Sequence, residues 1–224
     1  MRRLLLTLAL ALVAAPALAQ GTETEPLAAP GSIATGMIEN AEADGIFDIV
    51  HNGQVSVRHL RSGLRCDFDR QGNGRLIVFA PPPSTTGPTP ETTIPRGDDV
   101  ACDMTEGQVH LRYFATRYPF GSTLEEQIAG VERVILRRDP AAAPYPGPVV
   151  SDSTDGLPIR RTTRFILTQN GTRLFTSASV ARIGDWILKL RYTAPAADDT
   201  AVAEADANAA LAFDAALRQI IDAR

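Results

Sequence analysis

His59 and Ser62 stand three positions apart and are the pair in this chain best placed to act as base and nucleophile. A serine gives up its proton only to a base within hydrogen-bond reach that is itself held in place. The sequence puts no orienting group beside His59, and the elbow pattern G-x-S-x-G is absent. A metal would need three or four converging ligands. With a two-residue turn at Asn52-Gly53, His51 faces Gln54. His59 then lies roughly 16 Å further along, at about 3.3 Å per residue. His110 reaches either one only through tertiary folding, and no H-x-x-x-H pair exists. No metal site is expected, and no cofactor, since phosphate loops and dinucleotide fingerprints are also missing. His59 shares a strand face with Val55 and Val57, which suits a half-buried, hydrogen-bonded histidine or a ligand contact.

Arg160, Arg161 and Arg164 form the densest basic cluster. Guanidinium groups meet carboxylate or phosphate through forked hydrogen bonds, so these three residues and His59 are the candidate ligand contacts. The opposing expectation is that they lie on the wet side of a strand. Asp67 and Asp69 alternate with Cys66 and Phe68, as on the solvent face of a strand, and Asp98-Asp99 reads as a loop. Lysine chemistry would rest on Lys189, the one lysine beside 21 arginines.

Two cysteines remain. In Leu64-Arg65-Cys66-Asp67-Phe68 and Val100-Ala101-Cys102-Asp103-Met104, alternation turns both thiols toward the apolar side. A reactive thiol wants an exposed, electropositive setting, and no C-x-x-C is present. A structural disulfide between Cys66 and Cys102 is predicted.

The elements that would position these residues are legible in outline. A helix is expected from Ser32, as its cap, to about Asp44, with Ile33, Met37 and Ala41 on the buried stripe. Strands over 46–51 and 54–61 flank Asn52-Gly53. Strands over 64–69 and 75–80 flank a glycine-rich turn, and 99–104 and 108–115 make a further pair. Residues 80–97 hold six prolines and should be an extended surface loop. Ser122 to Glu125 matches a capping box opening a helix with Leu124, Ile128, Val131 and Ile135 inward. A second proline-rich connection spans 139–158. Strands over 160–169 and 172–183 flank Asn170-Gly171, and a third runs over 186–193. In that third strand Trp186, Leu188, Leu190 and Tyr192 face one way, and Ile187, Lys189 and Arg191 the other. A last helix, about 200–222, repeats Val202, Ala209, Phe213, Leu217 and Ile220 at helical spacing. Tight hairpins imply antiparallel pairing. The predicted class is α+β: an antiparallel sheet built from hairpins and packed with about three helices, sandwich-like, as a single domain over 32–224.

The first residues read as an export signal: Met1-Arg2-Arg3, an apolar run over 4–15, and Ala17-Leu18-Ala19 before Gln20. Residues 1–19 are expected to be removed, leaving a soluble periplasmic or secreted chain with a flexible terminus over 20–31. The run is too short to span a membrane. Loss of Arg2 and Arg3 takes the formal net charge from -4 to -6. An acidic surface argues against nucleic acid or anionic lipid as a partner.

The stretch Phe165 to Gly171, then Trp186-Ile187-Leu188-Lys189-Leu190, then a C-terminal helix, resembles the end of Mog1/PsbP-like domains over about a quarter of the chain. Such domains mostly bind partner proteins, and the resemblance implies the same class of role. The stretch Val57 to Cys66 is similar to exported proteins of alphaproteobacteria, which implies no activity. The sequence thus points to a non-catalytic envelope protein that binds a protein partner or a small anionic ligand. A periplasmic hydrolase is the alternative.

Overall fold

The structure is a computed structural model that describes residues 28–80, 94–118, 121–148, 152 and 154–223. The export signal, most of the expected flexible terminus and most of the first proline-rich loop lie outside the described residues. Among the described residues there are three helices and ten strands, arranged in two antiparallel sheets as an α+β sandwich.

The helices are α1 (Pro30–Asn40), α2 (Leu124–Arg138) and α3 (Asp199–Asp222). A small sheet has the order β1 (Phe47–Ile49), β2 (Val55–His59), β3 (Arg65–Phe68). The large sheet takes β4 (Gly74–Val78), β5 (Asp99–Glu106), β6 (Val109–Arg117), β7 (Ala143–Pro144), β8 (Arg160–Gln169), β9 (Thr172–Ile183) and β10 (Trp186–Pro195). Its order is β4-β5-β6-β10-β9-β8-β7, so strands from both sides of the second proline-rich connection meet where β6 pairs with β10.

Period-two alternation gives this sheet two unlike faces. One carries Cys102, Leu111, Tyr113, Phe175, Leu188, Leu190 and Tyr192 into the main core, covered by α1, α3 and the small sheet. Helix α3 buries Val202, Ala209, Phe213, Leu217 and Ile220 there, the stripe its spacing predicts. On the other face α2 covers β8 and β9, and Val131 and Ile135 pack with Phe165, Leu167 and Ala178.

Several local expectations shift. Helix α1 opens at Pro30 behind Ala29, within the stretch expected to be flexible, and no side chain caps it. Proline suits a first helical turn because its missing N–H would have no partner there. The cap of α2 is Thr123, bonded reciprocally with Glu126, one residue later than the predicted box. Strand β1 pairs with β2 in the register Ile49 to Val57, so the five residues 50–54, rather than two, join these strands. The Asn52 side chain accepts from the Gln54 N–H at 3.1 Å and braces this longer turn. At Asn170-Gly171 both residues have positive φ, 49° and 77°, as a two-residue hairpin turn requires.

The largest difference lies between β3 and β4. They are not a hairpin, because β3 ends the small sheet and β4 pairs with β5. The chain passes from one sheet to the other at Gly74, whose φ is 151°. A side chain there would collide with the Asp103 carbonyl and the Phe68 ring.

The sulfurs of Cys66 and Cys102 sit at disulfide distance, with Cα atoms 6.2 Å apart, and tie β3 to β5. Thiol counting on denatured, unreduced protein should find no free thiol, and two free thiols would overturn the bridge. Closing a loop of 36 residues should contribute roughly 3–4 kcal/mol in the chain-entropy account, read as the loss in urea unfolding of the double Cys→Ala variant.

A candidate anion-binding cleft

The three arginines that cluster in sequence do not cluster in space. Strand alternation sends Arg160 and Arg164 to the α3 face of β8 and Arg161 to the α2 face. Arg160 pairs with Asp214 and Arg164 with Asp206, both on α3. Arg164 also donates to the Pro148 carbonyl and lies 5.2 Å from the centre of the Tyr145 ring. Arg161 pairs with Glu125 on α2 and with Asp152. Each guanidinium is thus already matched by a carboxylate, and the pairs fasten the two long helices to β8.

His59 is fully buried at the end of β2, with the Phe47 and Trp186 rings each 5.2 Å away. Ser62 lies beside it, with Oγ 2.7 Å from Nδ1. The Ser62 N–H also donates to Nδ1, and the Leu64 N–H donates to Ser62 Oγ. With two donors aimed at Nδ1, the ring proton belongs on Nε2. The pair therefore braces the turn from His59 to Leu64, and Ser62 is only 3% exposed. No substrate reaches that hydroxyl in this conformation. Burial lowers the His59 pKa to about 4, against the Gly97 backbone, which favours the charged ring, and with the Arg61 charge adding to the fall. Nε2 has no well-aligned hydrogen-bond partner. Asp98, expected in a loop, is buried and ion-paired to Arg61 of the same turn and to Arg117 at 3.6 Å.

His51 is exposed, and His110 sits 2.6 Å from Asp103. Among the described residues no three His, Cys, Asp or Glu side chains converge as a metal site.

The concave site lies elsewhere, on the α2 face of the large sheet. Where α2 ends, a cleft of about 290 Å³ opens over β6, β10, β9 and β8. Its floor includes His110 and Arg112 of β6, Arg191 and Thr193 of β10, and Thr176 of β9. Arg138, the last residue of α2, lines it with Asp139, and Ile135 and Leu167, both buried in the cluster under α2, reach only its edge. Arg112 and Arg191 are direct cross-strand partners. Like charges directly opposite one another destabilise a sheet.

Arg112 is partly relieved by Asp103, which it shares with Arg75 and His110. Burial alone would raise the Asp103 pKa, but the Arg112 hydrogen bond and the surrounding charges outweigh it and hold the carboxyl below its usual range. The Nε–H of Arg112 is buried and has no partner. No carboxylate among the described residues pairs with Arg191. Burial lowers its pKa first, and the charges of Arg138 and Arg112 lower it further. Asp139 is committed to the turn after α2, where its Oδ1 accepts from the Ala141 N–H. Beside Arg191 on the same face, Lys189 is partly buried and its Nζ lies 5.0 Å from the centre of the Phe114 ring.

No protein-family model matches this chain, and no curated protein matches it. The cleft is therefore read from its own geometry. It presents an excess of guanidinium donors over carboxylates, and an anion would satisfy them. The sequence missed Arg112, Arg138 and Arg191 because no two of them are near neighbours along the chain. Alternation in 186–193 puts Arg191 on the outward face, but only the β6–β10 register sets Arg112 opposite it.

The buried histidine fixes a pH dependence. Above pH 6.5 the ring is neutral in both states, and its contribution to stability is present in full. As pH falls from 6.5 toward 4, the unfolded chain takes up a proton that the folded protein refuses, so stability falls. The loss should approach about 3 kcal/mol. Urea unfolding of wild type and His59→Asn, each at about pH 7 and about pH 4.5, should show a smaller acid loss in the variant. Equal losses would remove His59 as the cause.

Proposed function

We propose that this chain is an exported, soluble, non-catalytic envelope protein that binds a small anion in the cleft beneath the end of α2. The observation that carries the reading is the opposed pair Arg112 and Arg191, with Arg191 lacking a carboxylate among the described residues. A sheet that only had to fold would be better served by an apolar or acidic residue at one of these positions. A bound carboxylate or phosphate would convert the repulsion into charge-assisted hydrogen bonds. Arg138 lines the site from the end of α2, and the cleft sits on paired strands, which hold donors in place before the ligand arrives.

Export is supported by the basic start, the apolar run over 4–15 and the Ala17-Leu18-Ala19 site. The cysteine pair at disulfide distance fits an oxidising compartment. No helix among the described residues is long and apolar enough to cross a membrane. The hydrolase alternative rests on His59 and Ser62, and their burial in a braced turn gives it no access route.

Calorimetric titration of the mature protein with small carboxylates and inorganic phosphate should detect an anion that binds with one-to-one stoichiometry. Arg191→Gln should weaken that binding by about tenfold or more, since hydrogen bonds between charged groups are the strong ones. Its thermal stability should be unchanged or raised, because a like-charge contact is relieved. Absence of binding by every anion, or equal affinity in the variant, would refute the cleft as the site. Intact-mass analysis of protein recovered from a bacterial periplasm should show a chain beginning at Gln20. A mass that retains the run over 4–15 would refute the exported, soluble reading.

A further inference from the structure

We infer that the anion is a small dianion, one negative charge held by the opposed pair Arg112 and Arg191 and the second by Arg138 at the end of α2. This rests on the anion-binding reading and adds the charge and the size of the ligand.

The charge follows from what the side chains leave unanswered. Asp103 reaches the floor of the cleft and serves Arg75 and Arg112 together. Asp139 lines the cleft with one oxygen tied to the turn after α2. Against these two carboxylates stand four guanidiniums, those of Arg75, Arg112, Arg138 and Arg191, so two positive charges are left over. Neither Arg138 nor Arg191 is ion-paired to a described carboxylate. Lys189, the next cation along β10 on this face, is opposed by the Asp99 charge and leaves the count unchanged.

One ligand can meet both unanswered charges. The charges of Arg138 and Arg112 both reach Arg191, so the three guanidiniums surround a common space. A single carboxylate between Arg112 and Arg191 would leave Arg138 without a partner. The buried Nε–H of Arg112, already out of water, gains an acceptor when an anion binds. The carbonyl end of α2 carries about half a negative charge, shared between Arg137 and Arg138, so it does not neutralise Arg138. That same helix end and Asp139 oppose a third ligand charge. The volume of about 290 Å³ holds roughly ten water volumes at ~30 Å³ each, which limits the ligand to about ten non-hydrogen atoms. Nucleotides and polyanionic chains are too large. A short dicarboxylate and a tetrahedral oxyanion both present two charges to forked guanidinium donors.

Calorimetric titration of the mature protein at low ionic strength with malonate, monomethyl malonate and sulfate tests this. Malonate and its monoester differ by one charge at nearly equal size. Malonate should bind at least about tenfold more tightly than the monoester, because a second charge-assisted contact is made. Sulfate tighter than malonate would assign the two charges to a tetrahedral oxyanion, and malonate tighter than sulfate to a dicarboxylate. Arg138 is exposed at the helix end, so Arg138→Gln should fold normally and bring the malonate-to-monoester ratio close to one. An unchanged ratio in that variant would overturn the role of Arg138. Equal affinity of malonate and its monoester for the unaltered protein, with sulfate no tighter, would overturn the dianion and leave the anion cleft standing. Failure of all three probes, with inorganic phosphate also failing, would overturn the cleft itself.

Discussion

The pairing of β6 with β10 is the constraint on which the rest depends. Eight residue pairs, from Trp186 opposite Arg117 to Thr193 opposite His110, join the two halves of the large sheet. Because alternation is strict, this register decides two things together. It turns Leu111, Tyr113, Leu188, Leu190 and Tyr192 down onto α3 and the small sheet, and it turns Arg112 and Arg191 up into the cleft. A slip of one residue would exchange the faces, burying arginines and exposing the core. The apolar face therefore holds the charged face in place: many buried side chains keep the register, and one unfavourable like-charge pair rides on it.

The small sheet is fastened to this frame by contacts of different kinds. The Cys66–Cys102 pair ties β3 to β5. Trp186, at the first position of β10, packs on the edge of the His59 ring, and Arg61 reaches the buried Asp98 just before β5. His59 is central because its ring stays neutral and accepts two hydrogen bonds from the turn at Ser62. A charged ring would have to give up those acceptor contacts and would be charged in a fully buried place. The chemistry that makes histidine a common base is here suppressed by burial, and the same burial makes the turn rigid.

Legibility in the sequence followed the range of each interaction. Helix α3 and the Asn170-Gly171 hairpin are local, and the residues named from spacing alone are the ones buried or held at positive φ. The cap of α2 was ambiguous for a physical reason. Ser122 and Thr123 each have a glutamate three residues on. Thr123 takes the cap because Ser122 Oγ accepts from the Gln127 side chain and Glu125 is drawn to Arg161. The break between β3 and β4 was not legible, since a glycine-rich turn between two apolar runs also fits a hairpin. Only the approach of Gly74 to the Asp103 carbonyl distinguishes a crossing between sheets. The arginines show the same contrast. Three that adjoin in sequence were divided between two faces by a period of two, while three far apart were gathered by sheet register and the end of a helix.

That gathering bears on what kind of site the cleft is. A structural arginine is recognised by its carboxylate, as Arg160 has Asp214 and Arg164 has Asp206. In the cleft the count runs the other way. Asp103 serves Arg75, Arg112 and His110 at once, Asp139 is bound to its own turn, and Arg191 is left with neighbours of its own sign. Arginine does not escape such a position by losing its proton, because its pKa starts far above any physiological pH. The charge therefore stays, and it must be answered by water, by salt or by a ligand. Water and salt answer it at the open side of the cleft. The side under α2 is already packed, with Ile135 and Leu167 buried in the cluster beneath the helix, so what the cleft leaves unmet is charge and not apolar surface.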